Sequence, residues 1–179
     1  MIYVALLRGI NVGGKNKIDM KKFKETVEGI GMEDVVTYIN SGNVIFKDSE
    51  HSKTEIAALL EKAIKDDFSL DIKVLIRSLK DYHEVMKALP NHWKNDKEMK
   101  RDVLFLWEEI DQESVIDDVT IKPDIDRVHY APGALLWSVE KKDLTKSGLM
   151  KLAGTKLYKK MTVRNVNTTR KIYEIMKAR

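Results

Sequence analysis

Val35 to Lys47, VVTYINSGNVIFK, is the stretch on which the fold turns. Two β-rich runs, Val35 to Ile39 and Asn43 to Lys47, flank Asn40-Ser41-Gly42-Asn43, a tight-turn signal that pairs the runs antiparallel. Upstream, Asp19 is placed to cap a helix that carries Met20, Phe23, Val27 and Ile30 on one face and ends at Gly29 and Gly31. Before it, Met1 to Leu7 is a short apolar run stopped by Gly9. Downstream, Ser52 and Glu55 form a capping box for a helix with Ile56, Leu59, Leu60, Ala63 and Ile64 facing inward. Ile72 to Arg77 closes the unit as a strand. The order β-α-β-β-α-β is that of ferredoxin-like folds.

Ser78 caps a connecting helix from Leu79 to Leu89, stopped by Pro90. Residues 90–100 are polar and without period, and the lobe boundary is placed there. The second half repeats the order. Asp102 to Trp107 reads as a strand and Gln112 to Asp118 as a short helix. Arg127 to Tyr130 and Ala134 to Val139 form a hairpin around Pro132-Gly133. A helical stretch from Lys146 to Leu157 is broken by Gly148 and Gly154. Lys160 to Val163 reads as a strand, and a last helix starts near Asn167 or Thr168 with Ile172, Ile175 and Met176 inward. The expected fold is α+β, two ferredoxin-like lobes with antiparallel sheets, a connecting helix and a C-terminal helix. Residues 1–77 form the first lobe, 78–100 the connection and 101–179 the second lobe.

A chain of 179 residues fits one domain or two small lobes at roughly 100–200 residues per domain. Hydrophobic residues at 43% and charged residues at 34% give a globular balance. With no cysteine, disulfides, thiolate metal sites and cysteine nucleophiles are excluded. The apolar start is too short for a signal peptide, and no apolar run approaches the ~20 residues that span a bilayer. The expectation is a cytoplasmic protein with no membrane partner.

The net charge of +4 is a cancellation. Residues 1–140 hold 20 basic and 26 acidic side chains, a net of −6. Residues 141–179 hold 12 basic side chains against Asp143 and Glu174, a net of +10. An asymmetry of this size points the last segment toward an anionic partner, or toward the acidic stretch Asp102 to Asp126 of the same chain.

Gly9-Ile-Asn-Val-Gly-Gly-Lys-Asn16 nearly matches the phosphate loop of nucleotide triphosphatases. Asn16 replaces the hydroxyl that ligates magnesium, the helix cap comes four residues after Lys15, and the following strands are antiparallel. These departures argue against that function. Two readings stay open. The glycines Gly9, Gly13 and Gly14 serve a turn that needs positive φ, or their N–H groups, with Arg8 and Lys15, receive an anion.

Leu6-Leu7-Arg8-Gly9-Ile10-Asn11-Val12-Gly13-Gly14, then Ser41-Gly42-Asn43, then Arg164-Asn165-Val166-Asn167-Thr168 resemble a bacterial family catalogued as domain of unknown function 1697. The resemblance covers nearly the whole chain. It implies two ferredoxin-like lobes and brings no established activity, substrate or cofactor. The positions it marks are Arg8, Gly9, Asn11, Gly13, Ser41, Gly42, Asn43, Arg164, Asn165 and Thr168. Relatives usually carry Trp where this chain has Val166, a loss of a stacking surface if that Trp touches ligand and a smaller core contact if it packs.

The candidate ligand-binding residues are therefore Arg8, Gly9, Asn11, Gly13, Gly14, Lys15, Ser41, Asn43, Arg164, Asn165 and Thr168. Arginine forks suit phosphate or carboxylate, amides and hydroxyls offer neutral donors, and a helix start attracts anions. The competing assignments are turn residues for Ser41 and Asn43 and a cap for Asn167 or Thr168. No catalytic set is assigned. His51, His83, His92 and His129 lack metal spacing, Glu108-Glu109 and Asp117-Asp118 diverge, and Trp93, Trp107 and Trp137 read as packing residues. No cofactor is implied. Three functions follow in order: binding of a small anionic ligand, binding of nucleic acid through the basic segment with Tyr3, Tyr38 and Phe46 on a sheet face, or a protein-interaction module.

Overall fold

The computed structural model of the chain describes residues 1–179. It divides into two compact units, Met1–Lys80 with Ile172–Arg179, and Asp81–Lys171.

In the first unit β1 (Ile2–Leu7), β2 (Glu33–Tyr38), β3 (Asn43–Lys47) and β4 (Val74–Ser78) form an antiparallel sheet in the order β2-β3-β1-β4. The helices α1 (Met20–Gly29) and α2 (Lys53–Phe68) stand between the strands in sequence as expected. Alternation along a strand sends Tyr3, Ala5 and Leu7 of β1, Val44 and Phe46 of β3, and Val74 and Ile76 of β4 into one core. Phe23 and Val27 of α1 and Ile56, Leu60 and Ile64 of α2 close it. Each such large side chain contributes roughly 1.5–3 kcal/mol by leaving water. Both caps form: Asp19 Oδ1 accepts the Lys22 N–H at 2.9 Å, and Ser52 and Glu55 exchange hydrogen bonds. Ile39 differs from expectation. It leaves β2 and sits at φ 50°, in the left-handed region.

In the second unit β5 (Met99–Leu106), β6 (Arg127–Ala131), β7 (Ala134–Glu140) and β8 (Met161–Asn165) form a second antiparallel sheet, β6-β7-β5-β8. Its core is built on Leu104, Leu106, Leu135, Trp137 and Met161. The helix expected at Gln112 to Asp118 is instead a 3₁₀ segment at Glu113–Asp118, preceded by another at Glu108–Ile110. Segments this short do not recover the cost of an α-helical nucleus, and the tighter turn buries Val115. The glycine-broken stretch resolves into a 3₁₀ segment at Lys141–Lys146, the short α4 (Gly148–Leu152), and a 3₁₀ turn at Leu157–Lys160.

The division between the two compact units falls within α3 (Leu79–Ala88). Tyr82 of α3 is fully buried and stacks on Phe105 of β5 at 5.5 Å, and its hydroxyl donates to the Thr169 carbonyl at 2.9 Å. The last helix, α5 (Val166–Lys177), begins earlier than Asn167, because Asn165 is its cap: Asn165 Oδ1 accepts the Thr168 N–H at 2.9 Å.

Candidate functional site

In the first unit, β1 runs into Arg8 and Gly9, and residues 9–18 return as a small hairpin. Lys15 N–H donates to the Val12 carbonyl at 3.0 Å and Asn11 N–H to Asn16 at 3.1 Å. Gly13 and Gly14 occupy the turn with φ 58° and 75°, the geometry of a type I′ turn. The glycines therefore serve the turn, and the hairpin's own hydrogen bonds run between Val12 and Lys15 and between Asn11 and Asn16.

Asn11 ties this hairpin to the next. Its Nδ2 donates to Ile18 at 3.1 Å and to Asn40 at 2.7 Å, while its Oδ1 accepts the Ile18 N–H at 2.9 Å. Asn43, fully buried, donates through Nδ2 to the Tyr38 carbonyl at 2.9 Å and to Ser41 Oγ at 3.0 Å. Leu7 N–H donates to the Gly42 carbonyl at 2.9 Å, and Gly42 has φ 90° with Ile10 and Leu7 pressed where a Cβ would stand. Arg8, Gly9, Asn11, Gly13, Gly14, Lys15, Ser41 and Asn43 thus share one end of the first unit. The amides of Asn11 and Asn43 are spent on the loops themselves. Arg8 is half-buried, and Gly9, Gly13, Gly14 and Lys15 are exposed.

Reading the sequence missed three residues here. Asn16 (φ 51°) donates through Nδ2 to the Gly9 carbonyl at 2.9 Å. Val12 and Ile39 are 66% and 47% exposed. Asparagine tolerates left-handed backbone, so Asn16 was findable beside the glycines. A β-branched Ile39 at φ 50° has no sequence signal, since its propensity argues for the strand. We expect Ile39→Gly to raise stability by about 0.5–1 kcal/mol in urea unfolding, the left-handed penalty less the entropy of glycine. No gain would mean that the backbone there is unstrained.

In the second unit, Arg164 on β8 is 5% exposed, and its terminal nitrogen donates to Thr162 Oγ1 at 3.0 Å and to the Val163 carbonyl at 2.8 Å. Burial pushes its pKa down to about 10, opposed by the Tyr82 hydroxyl. Asn165 is the α5 cap and Thr168 is buried. Asn167, expected as a possible cap, exchanges hydrogen bonds with the Asn95 backbone at 3.1 and 2.9 Å. Val166 is fully buried, which makes the position a packing one in this chain.

The sheet face suggested for nucleic acid is corrected by burial: Tyr3 is 5% exposed and Phe46 not at all, and both lie in the core. Val4, Leu6 and Ile45, on the opposite face of the same strands, are fully buried as well. Within the basic segment, Lys160 meets Glu109 of the acidic stretch at 3.0 Å and Lys142 meets Glu140 at 3.2 Å. Arg170 is turned onto the carbonyls of Pro90, Asn91 and Trp93. Lys146, Lys151, Lys156 and Lys159 are exposed. His51 holds Asp48 at 2.9 Å beside the start of α2, and no group of three His, Asp or Glu side chains gathers to hold a metal. No helix is long and apolar enough to cross a membrane.

Two four-stranded antiparallel sheets, each with its own helices, define a tandem α+β protein of the ferredoxin-like kind. A family model described as "Protein of unknown function (DUF1697)" matches residues 1–137, and the chain belongs to that family. A solved structure titled "The structure of conserved bacterial protein SP0830 from Streptococcus pneumoniae" is similar at 30% identity and a TM-score of 0.82, over 98% of each chain. No curated protein matches.

Proposed function

We propose that the protein binds a small phosphate- or carboxylate-bearing ligand at the paired loops of its first unit. The observation behind this reading is the concentration of left-handed backbone there. Three of the five non-glycine residues at positive φ, Asn11, Asn16 and Ile39, lie in these two loops. Asparagine adopts this backbone readily, whereas Ile39 does so at a cost and persists there because the surroundings hold it. Asn11 fixes the two loops to one another, so the N–H groups of Gly13 and Gly14, the cations of Arg8 and Lys15, and the apolar surfaces of Val12 and Ile39 are presented without an ordering cost on binding. The chemistry offered is charge and backbone donors beside an apolar contact, which suits a small anion carrying an apolar part. Arg164, Asn165 and Thr168 support this reading less, because each is occupied in the second unit's own structure.

The test is an NMR titration of the labelled full chain with inorganic phosphate. We expect the amides of Gly13, Gly14 and Lys15 to shift, and Arg8→Ala with Lys15→Ala to weaken binding roughly tenfold, the loss of charge-assisted hydrogen bonds. Unmoved glycine amides, or an unchanged affinity in the double variant, would sink the proposal. Nucleic acid is the second reading. It rests on the exposed Lys146, Lys151, Lys156 and Lys159, which bring charge without a stacking surface.

A further inference from the structure

The second unit carries a separate polar cavity of about 390 Å³ on the face of its sheet away from the Trp137 core. Its floor is one row across three strands. Arg101 of β5 and Arg127 of β6 are both register partners of Ser138 on β7, so the three side chains share a face. Two strand spacings set the arginine backbones about 10 Å apart, with the serine between them. Trp93 walls the cavity. It packs against the Arg101 guanidinium at 5.6 Å and the His129 ring at 5.8 Å.

The donors in this row are unspent in a specific way. Arg101 gives its Nε–H to Ser138 Oγ at 3.0 Å, and its terminal nitrogens meet no protein acceptor. Arg127 gives one terminal nitrogen to the carbonyls of Pro123 at 3.1 Å and Asp126 at 3.4 Å. Neither arginine meets a carboxylate at ion-pair distance, and Asp96 feels the Arg101 charge only through space. Ser138, 4% exposed, accepts from Arg101, which leaves its own proton to donate. Two carboxylates also line the cavity. Glu140 is paired with Lys142 at 3.2 Å, and Asp124 is exposed at the rim.

We infer that this cavity is a phosphate-monoester site, with Arg101 and Arg127 gripping the phosphoryl group from two sides and Ser138 donating to a third oxygen. A carboxylate saturates on a single arginine fork, whereas a phosphoryl dianion offers charge and oxygens for two forks and a hydroxyl. The volume suits a small molecule.

Calorimetry of the full chain with phenyl phosphate, inorganic phosphate and malonate tests this. The expected result is binding of phenyl phosphate, weaker binding of phosphate and weakest of malonate. Arg127→Gln and Arg101→Lys should each weaken phenyl phosphate roughly tenfold or more. Arg127 is exposed, so its variant keeps the fold, which a thermal melt checks. Lys24→Ala, a change at a half-exposed position on α1 outside both proposed sites, should leave this affinity unchanged. Absence of phenyl phosphate binding, malonate bound as tightly, or undiminished affinity in Arg127→Gln overturns the assignment. A loss in Arg8→Ala without one in Arg127→Gln also overturns it, and places the phosphate at the first unit's loops.

Discussion

Gly148→Ala is expected to cost about 3 kcal/mol or more of stability, the upper range for forcing an atom into packed structure. A Cβ on Gly148 would stand 1.7 Å from the Thr120 carbonyl oxygen and 2.6 Å from its carbon. The obstacle is backbone, so no rotamer change relieves it. The φ of Gly148 is not in the left-handed region, so the cost is steric and not conformational. The obstruction also pushes apart a working contact, since the Gly148 N–H donates to Asp126 Oδ2 at 2.9 Å. Gly154, six residues on, is the internal control. Its added Cβ would meet nothing nearer than 3.9 Å, and Gly154→Ala should be neutral or slightly stabilising. Urea unfolding of both variants decides the matter. A loss under about 1 kcal/mol for Gly148→Ala would mean that α4 can shift away from Thr120 at little cost.

The first unit was legible because its signals are local. The Ser52–Glu55 box, the Asp19 cap and the turn before Asn43 each fix an element boundary within a few residues, and the structure forms all three. The second unit was legible in its strands and blurred in its helices. Where a short helix was expected after β5, the chain makes 3₁₀ turns whose three-residue period leaves no clear stripe to read. Asn165 shows the same limit at a boundary. A strand that runs directly into a helix leaves one residue to be both the last of β8 and the cap of α5.

The candidate site was legible in part for a related reason. Asparagines look like ligand donors in a sequence, yet the same amides are what an irregular loop needs for its own carbonyls, and Asn11 and Asn43 are used that way. The sequence cannot show which use prevails, because the acceptors Asn40 and Tyr38 become neighbours only when the hairpins form. The Arg101–Ser138–Arg127 row is a stronger instance. Nothing in the spacing of these three residues marks them, and only the register of β5, β7 and β6 puts them side by side. Strain at Ile39 was hidden for the opposite reason: its side chain favours the very strand it leaves.

Asp126→Ala is expected to cost about 3–5 kcal/mol, because several neutral donors lose a charged acceptor at roughly 1–3 kcal/mol each while the cost of burying the carboxylate is relieved. The carboxylate is 3% exposed and fully used. Oδ1 accepts from the Trp137 indole at 3.1 Å and the Ser147 hydroxyl at 2.5 Å, and Oδ2 from the backbone of Lys122 at 2.9 Å and Gly148 at 2.9 Å. Alanine leaves the Trp137, Ser147 and Gly148 donors buried without this acceptor, and the Lys122 N–H half-buried. Asp126→Asn should cost less, about 1–3 kcal/mol. Its amide nitrogen can face Ser147, whose oxygen accepts, so the Trp137 N–H and the Ser147 proton lose this acceptor while the Lys122 and Gly148 bonds remain. The pH dependence separates the charge from the shape. Burial alone would raise the Asp126 pKa. Donation from Ser147, Lys122, Gly148 and Trp137 outweighs burial and holds it below the usual carboxylate value. A lowered folded pKa means that the unfolded chain binds the proton more readily. The stabilisation is therefore complete above the unfolded value of about 3.9 and is lost as pH falls through the lower folded one. The stability gap between wild type and Asp126→Asn should thus be constant near neutrality and narrow in acid below that value. The consequence reaches the proposed phosphate site, because the Asp126 carbonyl accepts from the Arg127 guanidinium at 3.4 Å, and this loop sets where that arginine stands. A gap that widens in acid would place the Asp126 pKa above the ordinary carboxylate value, with burial dominant over its four donors.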